Sequence, residues 1–222
     1  MAIVVAGTIE YRFFTKQLAA AQTGALLSAA ELQSNIVRRH LEDRRADALL
    51  LSSRERVRAA LASAEDPASG ALAAAGVQDL LAATHRVYGY HAVQLFDPNV
   101  GLVAGVGDEE RVARKPAYVR QAIATGQAVV IPARLEVDGI IEYGIVYPVF
   151  SADGARVTGA VALTNDARAM LVPLLVPLRG RMTTVSTAIV VRDGEEVVYV
   201  GSAEDGNRVV PPDLRFAVTD RA

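Results

Sequence analysis

The sequence predicts an α+β fold, in which one very long N-terminal helix leads into a mainly antiparallel sheet. Three observations carry that prediction. From Glu10 to about Ser63 the chain has a single glycine, Gly24, and no proline. Over that stretch Leu18, Leu32, Ile36, Leu41, Leu50, Val57 and Leu61 recur at roughly helical spacing. Ile141–Asp166 reads as a β-hairpin, with Ile141, Tyr143, Ile145, Tyr147 and Val149 on one face of a strand. Its turn, Ser151–Arg156, contains the Asp-Gly pair that favours a tight reversal, and Val157–Leu163 returns as the partner strand. No strand–helix–strand repeat carries a glycine fingerprint, so a dinucleotide-binding sheet is excluded.

The remaining elements follow in order. A helix of some 50 residues would span roughly 75 Å, so it must protrude or pack against a second copy of itself; the alternative is two helices, with Gly24 as a bend. Glu65–Gly70 reads as a turn, and Ala71–Tyr88 as a second helix ended by Gly89. His91–Phe96 and Gly101–Val106 form a hairpin around Asp97-Pro98-Asn99. Pro116–Thr125 is a short helix with proline in its first turn. Ala128–Ile131 is a strand, and the central hairpin follows it. The sheet should then carry its helices to one side. After Leu175, Thr184–Val191 and Glu195–Val200 suggest a further hairpin, separate from the main sheet and dispensable for its folding. The chain thus divides into a stalk helix over 1–64, a sheet module over 65–177 and an incomplete second module over 178–222.

Composition narrows the function. The net charge is -2, so no basic field calls for nucleic acid. Cysteine is absent, which excludes disulfides, thiolate metal sites and a cysteine nucleophile. The three histidines, His40, His85 and His91, lie in no metal-binding spacing. No serine sits in a GxSxG setting, and neither a Walker A nor a kinase signature is present. No catalytic activity and no cofactor are expected. The apolar start, Ala2–Gly7, is too short to be a membrane span or a secretory core by itself. It fits the last turn of a membrane helix and an ordinary soluble start equally well.

HLEDRRADALLLSS, QLFDPNVGLVAG, PAYVRQAIATGQAVV, IVYPVFSADGARVTGAVALTNDARAML and TAIVVRDGEEVVYV, in that order and spacing, resemble the double Cache family. The resemblance covers about residues 30–200. It implies the PAS-like (Cache, or PDC) fold and the periplasmic portion of a bacterial inner-membrane receptor. The output domain would be a histidine kinase, or else a diguanylate cyclase. It further implies a membrane-distal ligand module and the opening of a membrane-proximal one. The family's pocket lies between the sheet and the short covering helix. Its amino-acid-binding branch has an Arg and a Trp-Tyr pair in that cover, and an Asp where the last strand ends. Arg114 sits near the first of these positions and Tyr118 takes the Trp position. Val119 replaces the Tyr, and Asp166 matches the strand-end Asp, so the motif is half present.

The residues themselves add candidates. Arg120 shares the short helix with Tyr118 and has the geometry to grip a carboxylate in bidentate fashion. Arg134 lies just past a strand end. Tyr143 and Tyr147 share a strand face; they meet a ligand if that face lines the pocket, and pack with tethered hydroxyls if it meets the core. Asp166 serves a ligand ammonium or caps the next helix. Three cations against one anion predict a small anionic ligand, a carboxylate first and an amino acid second. On that reading losing Arg120 weakens binding, whereas Glu142, pointing the other way into solvent, contributes little. The expected molecule is a homodimer through its long helix that binds a small molecule and passes a conformational signal along that helix. The alternative is a dimerising stalk that binds none.

Overall fold

The computed structural model of the chain describes residues 2–63, 67–107, 116–136, 138–175, 188–193, 196–202 and 215–217. Helix α1 runs over Ala2–Ser52 and passes through Gly24 without a break. At about 1.5 Å per residue it is roughly 75 Å long. The interruption falls at Ser53-Arg54 instead, before α2, Glu55–Ser63. There the Ser52 and Ser53 hydroxyls each donate to a carbonyl three residues back, Leu49 and Leu50, at 2.8 Å. Serine hydroxyls compete in this way with the helical ladder. Helix α3 covers Pro67–Tyr88.

Five strands form the main sheet: β1 Ala92–Phe96, β2 Leu102–Gly107, β3 Val129–Leu135, β4 Ile141–Phe150 and β5 Val157–Asp166. Helix α4, Pro116–Thr125, connects β2 to β3. The strand order is β2-β1-β5-β4-β3 and every pairing is antiparallel. The hairpin predicted from Ile141 to Asp166 is the β4–β5 pair, with Glu142 opposite Asp166 and Gly144 opposite Thr164. Gly154 supplies the positive φ of its turn, at 71°.

Helices cover both faces of this sheet, which corrects the one-sided expectation. On one face Ala48 and Leu51 of α1, Val57 and Leu61 of α2, and Val77 and Leu81 of α3 pack against Val93, Leu95, Ile145, Val149, Val161 and Leu163. On the other, Val119 and Ala122 of α4 pack against Phe96, Ile131, Val146, Ala160 and Ala162. Strand residues alternate faces with period two, so odd numbers of β1, β4 and β5 meet α1–α3 and even numbers meet α4. Along α1 the described side chains before Gln33 are exposed or half-exposed, and Leu26, Leu27, Leu32, Leu41 and Leu49 all face solvent.

Beyond β5 come α5, Ala167–Leu171, and a short 3-10 turn, Val172–Leu174. Strands β6 Ala188–Asp193, β7 Glu196–Ser202 and β8 Arg215–Ala217 then make a second antiparallel sheet in the order β6-β7-β8. Residues 184–187 of the anticipated hairpin lie outside the described residues. This sheet is distinct from the first, yet it shares a core with it. Val198 and Val200 of β7, both fully buried, sit in one cluster with Ile141, Tyr143, Ala167 and Leu171. The Arg168 Nε–H donates to the Val200 carbonyl at 2.9 Å. A boundary near 177 therefore separates two sheets but not two cores.

Candidate functional site

Tyr143 and Tyr147 lie on the face of the sheet opposite α4. Tyr147 packs into the cluster under α1–α3, and Tyr143, only 5 % exposed, meets α1 and the second sheet. The Tyr143 hydroxyl lies 3.0 Å from His40 Nε2 of α1. Burial pushes the Tyr143 phenol well above its usual pKa, so it stays neutral. This is the tethered-hydroxyl outcome. Tyr118 is half-buried on the opposite side of the sheet with α4. No single cavity can hold Tyr118 together with Tyr143 and Tyr147.

The α4 face is built differently. Four of its even-numbered positions are small, Ala92, Gly144, Ala160 and Ala162, beside the larger Phe96 and Val146. Gly144 is required there, because a Cβ would overlap the Leu163 carbonyl oxygen and crowd Thr164 Cα at 3.1 Å. Among these small residues stand four polar ones. Thr164, opposite Ala92 and Gly144, is 0 % exposed; Gln94, opposite Ala162, is 1 %; Glu142, opposite Asp166, is 2 %. Asp166 is half-buried at the end of the row. Thr164 Oγ1 and Gln94 Oε1 have no hydrogen-bond partner among the described residues. Leaving such an atom unpaired costs about 1–3 kcal/mol, so most native proteins avoid it. Together these small side chains and buried polar atoms make a mixed floor on the face of the sheet that α4 partly covers.

Glu142 thus points away from Tyr143, as the alternation requires, but it is buried and not in solvent. Arg120 and Arg134 are both exposed, and Arg134 stands opposite Glu142 in the β3–β4 register. Arg114 lies outside the described residues. Asp166 is the N-cap of α5, accepting the Arg168 backbone N–H at 2.8 Å on Oδ1. Its carboxylate still belongs to the α4 face, so both meanings anticipated for it are compatible.

Gln94 and Thr164 are not among the residues singled out from the sequence, and Glu142 is assigned there to solvent; all three are buried on this face. All three are polar residues in largely apolar strands and fall on the same parity as Asp166. A separate groove of about 990 Å³ lies at the other end of the sheet. It is lined by Glu55, Arg58, Asp97, Asn99, Ser151 and Arg156 among others, and shares no residue with the floor. Among the described residues no group of His, Asp and Glu could hold a metal ion, and no helix is long and apolar enough to cross a membrane.

No protein-family model matches the sequence, and no curated protein matches it. Solved structures do. The sensor domain of the histidine kinase DctB of V. cholerae superposes with a TM-score of 0.62 at 20% identity, covering 84% of this chain and 68% of that one. The ligand-binding domain of the Campylobacter jejuni chemoreceptor Tlp3, solved with L-norvaline, gives 0.50 at 11% identity, over 83% of this chain and 71% of that one. The ligand-binding domain of the Pseudomonas fluorescens chemoreceptor CtaA, solved with L-serine, gives 0.46 at 15% identity, over 75% and 66%. The chain spans about two thirds of the length of these domains. Its long helix, antiparallel five-stranded sheet and second small sheet give it a Cache-type (PDC) fold, like that of the DctB sensor domain.

Proposed function

We propose that the chain is the periplasmic ligand-sensing part of a signal-transducing membrane receptor, and that its ligand binds between α4 and the floor made by Gln94, Glu142, Thr164 and Asp166. The observation that carries this reading is the row of buried polar residues, Gln94, Glu142 and Thr164, on a face that also carries the small Ala92, Gly144, Ala160 and Ala162 beside Phe96 and Val146. A pocket needs a few convergent polar groups in an apolar surround, and this is such a set. The charge on the floor is negative, so the group seated there is a donor, an ammonium first. The arginines, at the exposed rim, suit a carboxylate at the ligand's other end. A small zwitterion, with its ammonium inward, satisfies both. This reverses the weight placed on a simple carboxylate. The L-norvaline of the Tlp3 ligand-binding domain supports it by analogy.

Ligand binding biases one arrangement of the module, and α1 carries that bias away. The row of exposed leucines on α1 fits a second copy of the same helix, giving a homodimer. Sedimentation showing only monomer at high protein concentration would remove that part.

The ligand reading is tested by a thermal-shift screen of small carboxylates, amino acids and amines, since a ligand in excess stabilises the state it binds. A small amino acid should raise the midpoint of the wild type. A charge-assisted hydrogen bond contributes about 1.5–3 kcal/mol. Glu142→Gln should therefore weaken binding by roughly ten- to a hundredfold, and Arg120→Ala should do less. Hits confined to carboxylates without an amine, or a shift that survives Glu142→Gln, would refute the proposed orientation. An absence of any hit, with a dimer, would favour a structural stalk.

A further inference from the structure

On the face of β4 opposite Glu142 a second network joins α1 to the sheet. Arg44 of α1 is held at 3.2 Å by Asp47, one turn on. Its guanidinium also lies over the rings of Tyr90 and Tyr88, at 5.3 and 5.9 Å from their centroids. The Tyr90 hydroxyl donates to Asp47 Oδ2 at 2.7 Å. Arg44 is therefore a fixed cation. One turn before it, His40 Nε2 meets the Tyr143 hydroxyl at 3.0 Å. Tyr143 is the immediate neighbour of Glu142, so the two side chains place one strand between the floor and α1.

We propose that the docking of α1 on the sheet is proton-linked at His40, which gives the domain a second input, pH, besides its ligand. Protonation would place a second positive charge one helical turn from a cation that cannot move away. It would do so in a half-buried site whose partner across the interface is a neutral phenol. Every charged group facing His40 enters the balance. Asp43 and Asp47 of α1 favour the imidazolium; Arg44 opposes it, and burial opposes it most. From β4 it meets Tyr143, which itself feels Arg44 and Asp166. Tyr88 and Tyr90 face Arg44. The outcome is a His40 pKa below the ordinary 6.5.

The sign follows from linkage. A histidine whose pKa is depressed in the docked state binds protons less readily than the same histidine released. Above 6.5 both states are neutral and pH has no effect through this group. As pH falls below 6.5, the released state gains protons first and docking weakens. One unit below 6.5 the loss reaches at most about tenfold in the docking equilibrium.

The experiment needs no ligand, so its result is independent of the ligand reading. Amide exchange of residues 37–47 is followed in the whole chain from about pH 7.5 to about pH 5.5, corrected for the intrinsic rate, alongside an NMR titration of the three histidines. The wild type should lose protection severalfold across this range, with the His40 resonance titrating below 6.5. His40→Gln retains an amide at the position of Nε2 and cannot be protonated; it should be protected at neutral pH and insensitive to acid. Protection that is unchanged in the wild type, or an acid loss that persists in His40→Gln, overturns the proposal. Should His40→Gln not fold, the wild-type titration decides: a His40 pKa at or above 6.5 refutes the linkage, and a lower one supports it.

Discussion

Phe96→Ala is expected to destabilise the domain by about 3–5 kcal/mol, the usual cost of truncating a buried phenylalanine. Phe96 is 1 % exposed, at the end of β1, and packs with Val119 and Ala122 of α4 and with Val146, Ala160 and Ala162 of the sheet. Among the described residues it is the largest fully buried side chain between α4 and the sheet. The midpoint of thermal unfolding should fall by roughly 10 °C or more in a domain of this length. Because α4 loses its anchor, any ligand-induced shift found in the wild type should also disappear. A melting curve followed by circular dichroism reads the first effect. A loss below about 1 kcal/mol would show that α4 is not seated on Phe96 in solution.

Deleting Arg179–Ala222 is the second large perturbation. Read from the sequence alone, that stretch is a separate hairpin whose loss leaves the main module intact. The packing leads to the opposite outcome. Val198 and Val200 cover Ile141, Ala167 and Leu171, and the Val200 carbonyl takes the Arg168 guanidinium. Each large aliphatic side chain returned to water costs about 1.5–3 kcal/mol. With Ile141 and Leu171 partly re-exposed, the sum is about 3–5 kcal/mol, a fall in midpoint of more than about 10 °C. The same truncation should loosen Tyr143, which shares that cluster, and with it the contact to His40. A midpoint within a few degrees of the wild type would restore the independent hairpin.

Much of the architecture is legible in the residues themselves. The run without breakers becomes α1 and α2, and the Asp-Gly turn becomes the β4–β5 hairpin. Local chemistry suffices for these, because helix continuity and tight turns depend on near neighbours in the chain. Legibility stops where the information is not local. The helix interruption lies at Ser53, not at Gly24, because hydroxyl competition at one site and tolerance of glycine at the other depend on packing as well as propensity.

The site shows the same division most clearly. Alternation in the sequence sorts β4 into two faces, Tyr143 and Tyr147 on one and Glu142 on the other, and that sorting holds. Period two is symmetric, however, and says nothing about which face receives three long helices and which receives α4. The tyrosines attract attention because aromatic hydroxyls suit both roles, and a glutamate in a strand reads as solvated. Which of the two sets meets the long helices was decided only by the tertiary structure. It set the bulky odd-numbered side chains against α1–α3, where large area must be buried. It left the small even-numbered Ala160 and Ala162 beneath α4, with Gln94, Glu142 and Thr164 buried on that same face.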